Sequence, residues 1–249
     1  MQQKWALITG ASSGIGSATA VKLAQAGYNL ILTGRRKDKL ESLANSLKAP
    51  EIIVAAFDLQ KPQEIDAFCT KNSAYLKKLN VLVNNAGLAK GVEKVDQASL
   101  SDWDAMIDTN IRGLLHMTRG VLPHFVAKQE GHIVNLGSVA GRWTYPGGAV
   151  YCASKFAVRA FSEGLRMDLL GKNIRVTNIE PGMVNTEFSL VRLGTQSQAD
   201  AVYQGMTPLS AQDIAETIAW VIDRPAHVNI QEIVIYPTEQ AHVGQVHRR

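Results

Sequence analysis

The sequence contains little cysteine, no long apolar run and no block of basic residues, and each absence excludes a class of protein. Cys69 and Cys152 are its two cysteines, and their spacing fits neither a metal site nor a redox pair. A transmembrane helix needs roughly 18 consecutive apolar residues, and the sequence has no such run. The net charge of +4 comes without a long basic run, so nucleic acid is a poor candidate for the main ligand. We therefore expect no metal, no membrane and no nucleic acid.

The remaining composition is typical of a folded protein in a reducing compartment. Of the 249 residues, 46% are hydrophobic and 19% are charged, which favours a globular fold over disorder. Residues 1–4 lead straight into an apolar run and lack the apolar core of a signal peptide. Together with the low cysteine count, this predicts a cytoplasmic protein.

Short apolar runs alternate with helical patterns along the whole chain, and no linker-like stretch separates them. This alternation predicts one domain, 1–249, with an α/β Rossmann fold: a doubly wound, seven-stranded parallel sheet with helices on both faces. We expect helices over about 62–78, 101–128 and 151–170, the second interrupted near Gly113 and Pro123. The predicted strands are 5–9, 29–33, 52–57, 81–83, 132–136, 174–179 and 233–235.

Residues 181–208 break this alternation. The stretch begins with Pro-Gly, is rich in Ser, Thr, Gln and Gly, and shows no clear periodicity. Long insertions in compact domains are usually functional lids or disordered segments. Because this one follows the carboxyl end of a strand, where open α/β sheets bind ligands, we predict a substrate lid at about 181–208.

A glycine-rich turn with the spacing G-x-x-x-G-x-G follows the first predicted strand and opens the first helix, over residues 10–16. Glycines let the backbone approach a pyrophosphate, and the helix N-terminus supplies N–H donors and positive potential. After the first strand of a βαβ unit, this turn predicts a dinucleotide site.

The end of the second strand indicates which dinucleotide binds. NAD sites usually place an acidic residue there, whereas this chain has Arg35 and Arg36, which can clamp a 2′-phosphate. We therefore predict NADP(H), although two solvated basic residues at a helix start would give the same sequence. Asp58, after the third strand, could accept a hydrogen bond from the adenine amino group or cap the next element.

Tyr151 and Lys155 lie four residues apart, one turn along a predicted helix. A phenol has a pKa of about 10, and a nearby ammonium group favours the phenolate. This arrangement could exchange a proton in an alcohol–carbonyl interconversion, although the pair alone also fits a solvated helix face.

Taken together, these motifs resemble the short-chain dehydrogenase/reductase family, in the order 9–16, 84–87, Asn110, Ser138, 151–155 and 181–182. The resemblance implies that Ser138 holds the substrate oxygen, Tyr151 exchanges the proton, Lys155 binds the nicotinamide ribose, and Asn110 anchors a water relay. The expected cofactor-binding residues are Gly10, Ser12, Ser13, Gly14, Ile15, Gly16, Arg35, Arg36, Asp58, Leu59, Asn85, Ala86, Gly87, Tyr151, Lys155, Pro181, Gly182, Val184 and Thr186.

A narrower resemblance concerns the substrate. The stretches 85–89, 106–110, 179–182, 186–192 and 225–230 are similar to the NADP-dependent 3-hydroxy acid dehydrogenases. That likeness implies oxidation of serine, L-allo-threonine or similar 3-hydroxy acids to 3-oxo acids, and a homotetramer. A substrate carboxylate needs a cation, and Arg192 and Arg142 are the candidates, although either could be a solvated surface residue.

Two alternatives remain at this point. A 3-oxoacyl thioester reductase or a broad carbonyl reductase of the same family would share the catalytic residues, and activity on acyl thioesters but not free hydroxy acids would identify it. A binding protein that senses NADPH without catalysis is the third reading, and the presence of both Tyr151 and Lys155 argues against it.

Overall fold

The computed structural model describes residues 3–249. Met1 and Gln2 lie outside the described residues. They belong to residues 1–4, on which the expectation of no signal peptide rests. No helix within residues 3–249 is long and apolar enough to cross a membrane.

The chain alternates between strands and helices from its first described element to α7, and its last third adds short strands and three further helices. The strands are β1 Trp5–Ile8, β2 Asn29–Gly34, β3 Ile52–Ala56, β4 Leu79–Asn84, β5 Gly131–Leu136, β6 Ile174–Pro181, β7 Val184–Asn185, β8 Leu209–Ser210, β9 Glu232–Ile235, β10 Gln240–His242 and β11 Gln245–Val246. The helices are α1 Gly14–Gln25, α2 Lys37–Ser46, α3 Pro62–Lys71, α4 Ser73–Leu76, α5 Leu100–Ile107, α6 Leu114–Lys128, α7 Ala149–Asp168, α8 Glu187–Leu193, α9 Gln196–Tyr203 and α10 Ala211–Ile222.

Seven strands form one parallel sheet in the order β3-β2-β1-β4-β5-β6-β9. The chain runs outwards from β1 to β3, then returns to β4 beside β1 and runs outwards in the other direction. The strand order therefore reverses between β1 and β4, which is where sheets of this kind bind ligands at the carboxyl ends of their strands. The predicted Rossmann architecture is confirmed.

The sheet is buried on both faces because its strands are continuous apolar runs. Neighbouring residues on β1 point to opposite faces, so Leu7 and Ile8 belong to two different hydrophobic clusters. The Ile8 cluster lies under α1 and α10, which pack on each other, while the Leu7 cluster is closed by α3, α6 and α7. The helices packed on both faces of the sheet therefore fix the positions of its strand ends.

The structure differs from the predicted helices in two places and agrees with them near Gly113. The helix expected over 62–78 ends at Lys71, where the C-cap residue Asn72 leaves the helical conformation and its side-chain amide donates to the Phe68 carbonyl. A separate turn, α4, follows. The interruption expected near Gly113 is a π-helical segment, Asp108–Gly113, between α5 and α6. The interruption expected at Pro123 is wrong, since α6 continues through it.

Segment 182–210 is ordered rather than irregular. It begins with β7 and ends with β8, and these two strands pair in parallel, so both ends of the segment are joined. Between them lie α8 and α9, whose N-caps Thr186 and Thr195 accept from backbone N–H groups. The Tyr203 hydroxyl donates to the Val184 carbonyl at 2.7 Å and ties α9 to β7.

Candidate active site

A cavity of about 670 Å³ opens at the carboxyl ends of the strands, between the glycine-rich turn and segment 182–210. Pockets of this size are typical of small-molecule and cofactor sites. Every expected cofactor-binding residue lines it except Gly16, and so do Ser138 and Arg192. Asn110 and Arg142 lie outside its lining.

The glycine-rich turn requires glycine for reasons visible in the backbone. Gly10 has a φ of +65° and Gly14 a φ of +54°, both in the left-handed region. At Gly16, a Cβ would lie 2.4 Å from the Gly10 carbonyl oxygen and 2.5 Å from Nδ2 of Asn85. The Asn85 amide itself donates to the carbonyls of Thr9 and Gly10, at 2.8 and 3.2 Å, and fixes the turn. Gly16 thus supports the cavity from behind without lining it.

We expect Gly16→Ala to destabilise the protein by about 1–3 kcal/mol, because the added methyl group has no room against the Gly10 backbone. The matched control is Gly164→Ala on α7, where an added Cβ would meet nothing within 4 Å. That change should stabilise by about 0.5–1 kcal/mol, since alanine is the better helix former. Urea unfolding of both variants measures the difference, and equal stabilities would contradict this account of the turn.

The structure places both arginines of the β2 end at the cavity. Arg36 donates from Nε and Nη2 to the Ser12 hydroxyl, at 3.2 and 3.1 Å, and from Nη2 to the Ser13 hydroxyl at 2.7 Å. Its third nitrogen, Nη1, binds Glu187 at 2.7 Å. Arg35 is exposed, and within residues 3–249 it forms no hydrogen bond or ion pair. A phosphate at this end of the cavity would therefore meet two guanidinium groups and two hydroxyls.

At the same end of the cavity, the opposite wall consists of residues that directly follow β3 and β4. Asp58 follows β3, lines the cavity and accepts from the Gln60 backbone N–H at 3.0 Å. That bond closes a turn and is not the helix cap weighed from the sequence, because the N-cap of α3 is Lys61. Leu59 lies beside Asp58. Asn85, Ala86 and Gly87 close the wall, and Thr9 Oγ1 accepts the backbone N–H groups of Asn85 and Ala86. Side chains as small as these leave the backbone accessible to a bound molecule.

Tyr151 and Lys155 project from the first turns of α7 into the centre of the cavity, and both are buried. Burial raises the pKa of Tyr151 above its ordinary value, while a hydrogen bond with Ser138 lowers it. Ser138 itself follows β5 and is held by the Ala140 backbone N–H at 3.1 Å. Tyr151 is therefore protonated at neutral pH, and its hydroxyl is hydrogen-bonded to the Ser138 side chain.

The electrostatic effect of Lys155 differs from what we expected. Its Nζ donates to the Leu136 carbonyl at 2.8 Å and lies 5.9 Å from the Tyr151 ring centre. Burial lowers the pKa of Lys155 to about 8, and burial of the phenol is the dominant influence on the pKa of Tyr151. The reason is that both groups lie in the same desolvated pocket, which disfavours the charged form of each.

Asn110 lies behind Lys155, in the π-helical segment between α5 and α6. Its side-chain amide forms two bonds with the Leu88 backbone, both 2.8 Å, and donates to the Ser154 hydroxyl at 3.0 Å. A Cβ added at Gly87 would lie 3.2 Å from Asn110 Oδ1 and 3.4 Å from Lys155 Nζ. Gly87 therefore keeps open the space between these two side chains. π-helical turns of this kind are frequent at functional sites.

The two arginines considered for the substrate have different positions. Arg192, on α8, lines the cavity with its guanidinium 6.0 Å from the Tyr151 ring centre. It donates to the Gly91 carbonyl at 3.1 Å, the Tyr145 hydroxyl at 2.9 Å and the Gly147 carbonyl at 3.4 Å.

Arg142 is instead paired with Glu180 and Glu232 on the β6 and β9 side. The expectation that Arg142 could bind the substrate is corrected, because its charge is already neutralised by two carboxylates and it does not reach the cavity.

Several lining residues were missed from the sequence. Tyr145 and Phe188 border the cavity beside Tyr151, and the Phe188 ring centre lies 5.7 Å from that of Tyr151. Gln240 and Val243 reach the cavity from the C-terminal segment, and Gln240 Oε1 accepts the Met183 backbone N–H at 2.8 Å. Phe188 lies in the stretch 186–192 that resembles the 3-hydroxy acid dehydrogenases, so its position could have been found there, whereas only the fold brings Tyr145, Gln240 and Val243 to the site. Within residues 3–249 no group of His, Cys, Asp or Glu could hold a metal ion.

Comparison with known proteins agrees with this geometry. Residues 4–193 match the family model described as short chain dehydrogenase. The NADP-dependent 3-hydroxy acid dehydrogenase YdfG of Salmonella typhi is 45% identical over 245 residues, 97% of this chain and 98% of that protein. Sulfoacetaldehyde reductase 2 of Chromohalobacter salexigens is 46% identical over 238 residues, 94% of each chain.

A solved structure of the closed form of serine dehydrogenase complexed with NADP+ superposes with a TM-score of 0.93. It is 43% identical in sequence, and the match covers 98% of this chain and 100% of that one. The match of the family model over most of the chain, together with relatives of this identity along nearly its full length, decides the assignment. The chain belongs to the short-chain dehydrogenase family.

Proposed function

We propose that this protein is an NADP-dependent oxidoreductase that interconverts small 3-hydroxy acids and their 3-oxo acids. The observation that carries the proposal is the position of Arg192 beside the buried Tyr151, with the Lys155 pocket on the other side. The Arg192 guanidinium could bind the acid group of a substrate, and the Tyr151 hydroxyl could exchange a proton with the substrate's hydroxyl or carbonyl oxygen. Relatives named for 3-hydroxy acids and for serine support the same substrate class.

The residues present fit NADP(H). Gly10, Gly14 and Gly87 line the cavity without side chains, Gly16 supports the turn from behind, and α1 begins at this cradle. Arg35 and Arg36 would hold the 2′-phosphate, and Asp58 would accept from the adenine. Pro181, Gly182, Val184 and Thr186 would border the nicotinamide. When bound, the cofactor accepts or donates the hydride.

The protein supplies the proton and the geometry. In oxidation, the Tyr151 phenolate would take the hydroxyl proton of the substrate, and Ser138 Oγ would hold the same oxygen. In reduction, the Tyr151 hydroxyl would return the proton. The Lys155 ammonium would hold the cofactor ribose and favour the phenolate, and Asn110 would position a water between itself and Lys155 Nζ. The gap that Gly87 leaves open beside these two atoms supports this relay.

Arg192 is suited to a carboxylate because of the donors that it retains. A guanidinium group has five N–H donors in a fork geometry. Nε and both terminal nitrogens of Arg192 each use one donor on protein oxygens, which leaves one N–H on each terminal nitrogen. Each of these two N–H groups could donate to one oxygen of a carboxylate.

We expect Arg192→Met to lower kcat/KM for serine or 3-hydroxyisobutyrate by about 10–100-fold, the cost of one charge-assisted bidentate contact. Activity on an uncharged secondary alcohol should fall less, because the only effect there is the loss of the Arg192 charge, which lowers the pKa of Tyr151 less than the Ser138 hydrogen bond does. Arg224→Met, a surface arginine that stacks on Trp220, is the control. An equal loss on acid and alcohol would contradict the assignment of Arg192.

We propose in addition that segment 182–210, which corresponds to the predicted lid at 181–208, closes the cavity over the substrate in a single catalytic domain, 1–249. Its helix α8 carries Arg192, and its joined ends, β7 and β8, would let it move as a unit. Closure would exclude water from the Tyr151 pocket.

A homotetramer in the cytoplasm is the proposed form of the enzyme. Exposed apolar residues on α5 and α7, which pack on each other, support self-association, since exposed apolar side chains are typical of interfaces. They are Leu100, Ile107 and Phe156. Light scattering coupled to size-exclusion chromatography measures the mass of the protein in solution, which should be four times that of one chain.

Sulfoacetaldehyde reduction is the second candidate activity. The forked donors of Arg192 suit a sulfonate as well as a carboxylate, and one relative is named for that substrate. Comparing kcat/KM for sulfoacetaldehyde with that for malonic semialdehyde separates the two. A 3-oxoacyl thioester reductase would instead act on substrates that carry no free acid group at this end.

A further inference from the structure

Arg36 and Lys39, which follow β2, already form ion pairs with the carboxylate of Glu187 on α8. Glu187 Oε2 lies 2.7 Å from Arg36 Nη1, and its Oε1 lies 2.9 Å from Lys39 Nζ. Hydrogen bonds from Lys39 and Arg36 lower the pKa of Glu187 to about 2, so the carboxylate is ionised throughout the physiological range. A fixed negative charge therefore faces the place where the 2′-phosphate would bind.

Glu187 also belongs to segment 182–210 rather than to the strand ends that carry Arg36. It is the first residue of α8, and the preceding Thr186 lies against the glycine-rich turn, 3.3 Å from where a Cβ on Gly14 would be. Glu187, Arg36, Ser12 and Ser13 all line the cavity. The ion pairs thus join α8 directly to the residues around the phosphate position.

Arg36 has little donor capacity left while this contact lasts. Nε and Nη2 are used by the hydroxyls of Ser12 and Ser13, and Nη1 is used by Glu187. A phosphate brings up to two negative charges, and it would need the same guanidinium and ammonium groups. Two anions on one pair of cations repel each other, so the phosphate and the carboxylate compete.

We propose that Glu187 is a specificity-determining residue that weakens NADP binding by competing with the 2′-phosphate for Arg36 and Lys39. The inference rests on the proposed NADP dependence and assigns Lys39 as a third cation of that phosphate site. Both pairs are about 40% exposed, so each is worth little and displacement is inexpensive. Glu187 therefore tunes the preference for the phosphorylated cofactor without abolishing it.

The test uses calorimetry on the full chain with 2′-phospho-ADP-ribose and ADP-ribose, which differ by the phosphate alone. Glu187→Gln should bind 2′-phospho-ADP-ribose about threefold to tenfold more tightly than the wild type, with ADP-ribose unchanged. Glu41→Gln is the matched control, since Glu41 pairs with Lys37 on the same helix, α2, away from Arg36. It should leave both affinities unchanged. A gain in affinity cannot come from a partly unfolded variant.

The outcomes separate this inference from the function on which it rests. Unchanged or weaker binding of 2′-phospho-ADP-ribose by Glu187→Gln overturns the competition, and so does an equal gain in Glu41→Gln, which would indicate a general charge effect. If the wild type itself binds both probes equally, the NADP assignment fails. A wild type that prefers the phosphorylated probe, with no gain in the variant, leaves that assignment standing and refutes only the role of Glu187.

Discussion

Tyr151→Phe will fold, bind NADPH and lose turnover by about a hundredfold or more, the lower part of the range for removing an acid/base group. The ring stays in its pocket beside Phe188, so packing is retained. What disappears is the hydroxyl that exchanges the proton with the substrate. Because burial raises the pKa of Tyr151, wild-type oxidation should also speed up as pH rises and the phenolate fraction grows, whereas reduction should stay nearly constant until the pH approaches that raised pKa.

Steady-state rates measure the loss of turnover, and NADPH fluorescence on the same samples measures cofactor binding. Tyr75→Phe is the control, because Tyr75 lies on α4 against Trp5, with ring centres 5.2 Å apart, and outside the cavity lining. That variant should retain wild-type turnover. Near-normal turnover in Tyr151→Phe would remove the general acid/base from the mechanism.

Removing both arginines of the β2 end should change cofactor preference more than any other substitution outside the catalytic residues. Hydrogen bonds to charged groups contribute about 1.5–3 kcal/mol each, so Arg35→Ala with Arg36→Ala should weaken NADP binding by about a hundredfold. Binding of NAD should change by a few-fold at most, since NAD has a ribose hydroxyl where NADP has the phosphate. The two dissociation constants come from fluorescence titrations with NADPH and NADH.

The control for that experiment removes two positive charges elsewhere, with Arg119→Ala and Arg224→Ala. Arg119 is exposed on α6, and Arg224 stacks on the exposed Trp220. This pair lowers the net charge equally and should leave both cofactors bound as in the wild type. Equal weakening of NADP and NAD in the β2-end variant would refute a phosphate clamp.

The sequence predicts the parts of the site that depend on residues close to one another in the chain. A strand, a glycine-rich turn and a helix follow one another directly, so the position of Gly10 and Gly14 at a strand end could be read from spacing alone. Tyr151 and Lys155 share a helix face for the same reason. The parallel sheet then brings the ends of β1, β4 and β5 together, because parallel strands end at the same edge.

The parts that were not predictable depend on tertiary contacts. Arg142 and Arg192 look alike in the sequence, and only the fold shows that Glu180 and Glu232 neutralise the first. The continuation of α6 through Pro123 likewise reflects packing against β4 and β5 that outweighs a helix-breaking residue.

The helix α10 was overlooked even though it begins with a capping box, in which Ser210 and Asp213 satisfy each other's backbone N–H groups. That signal is present in the sequence and could have been found. Gln240 carries no comparable signal, since its contact with Met183 spans more than fifty residues of chain.

The measurement that tests the central claim most directly is NADPH formation by the wild-type protein with serine, L-allo-threonine, 3-hydroxyisobutyrate and simple secondary alcohols as substrates. The account predicts that kcat/KM for the three hydroxy acids exceeds that for the alcohols of similar size, with NADP preferred to NAD. Equal activity on acids and alcohols would contradict it, as would activity restricted to acyl thioesters.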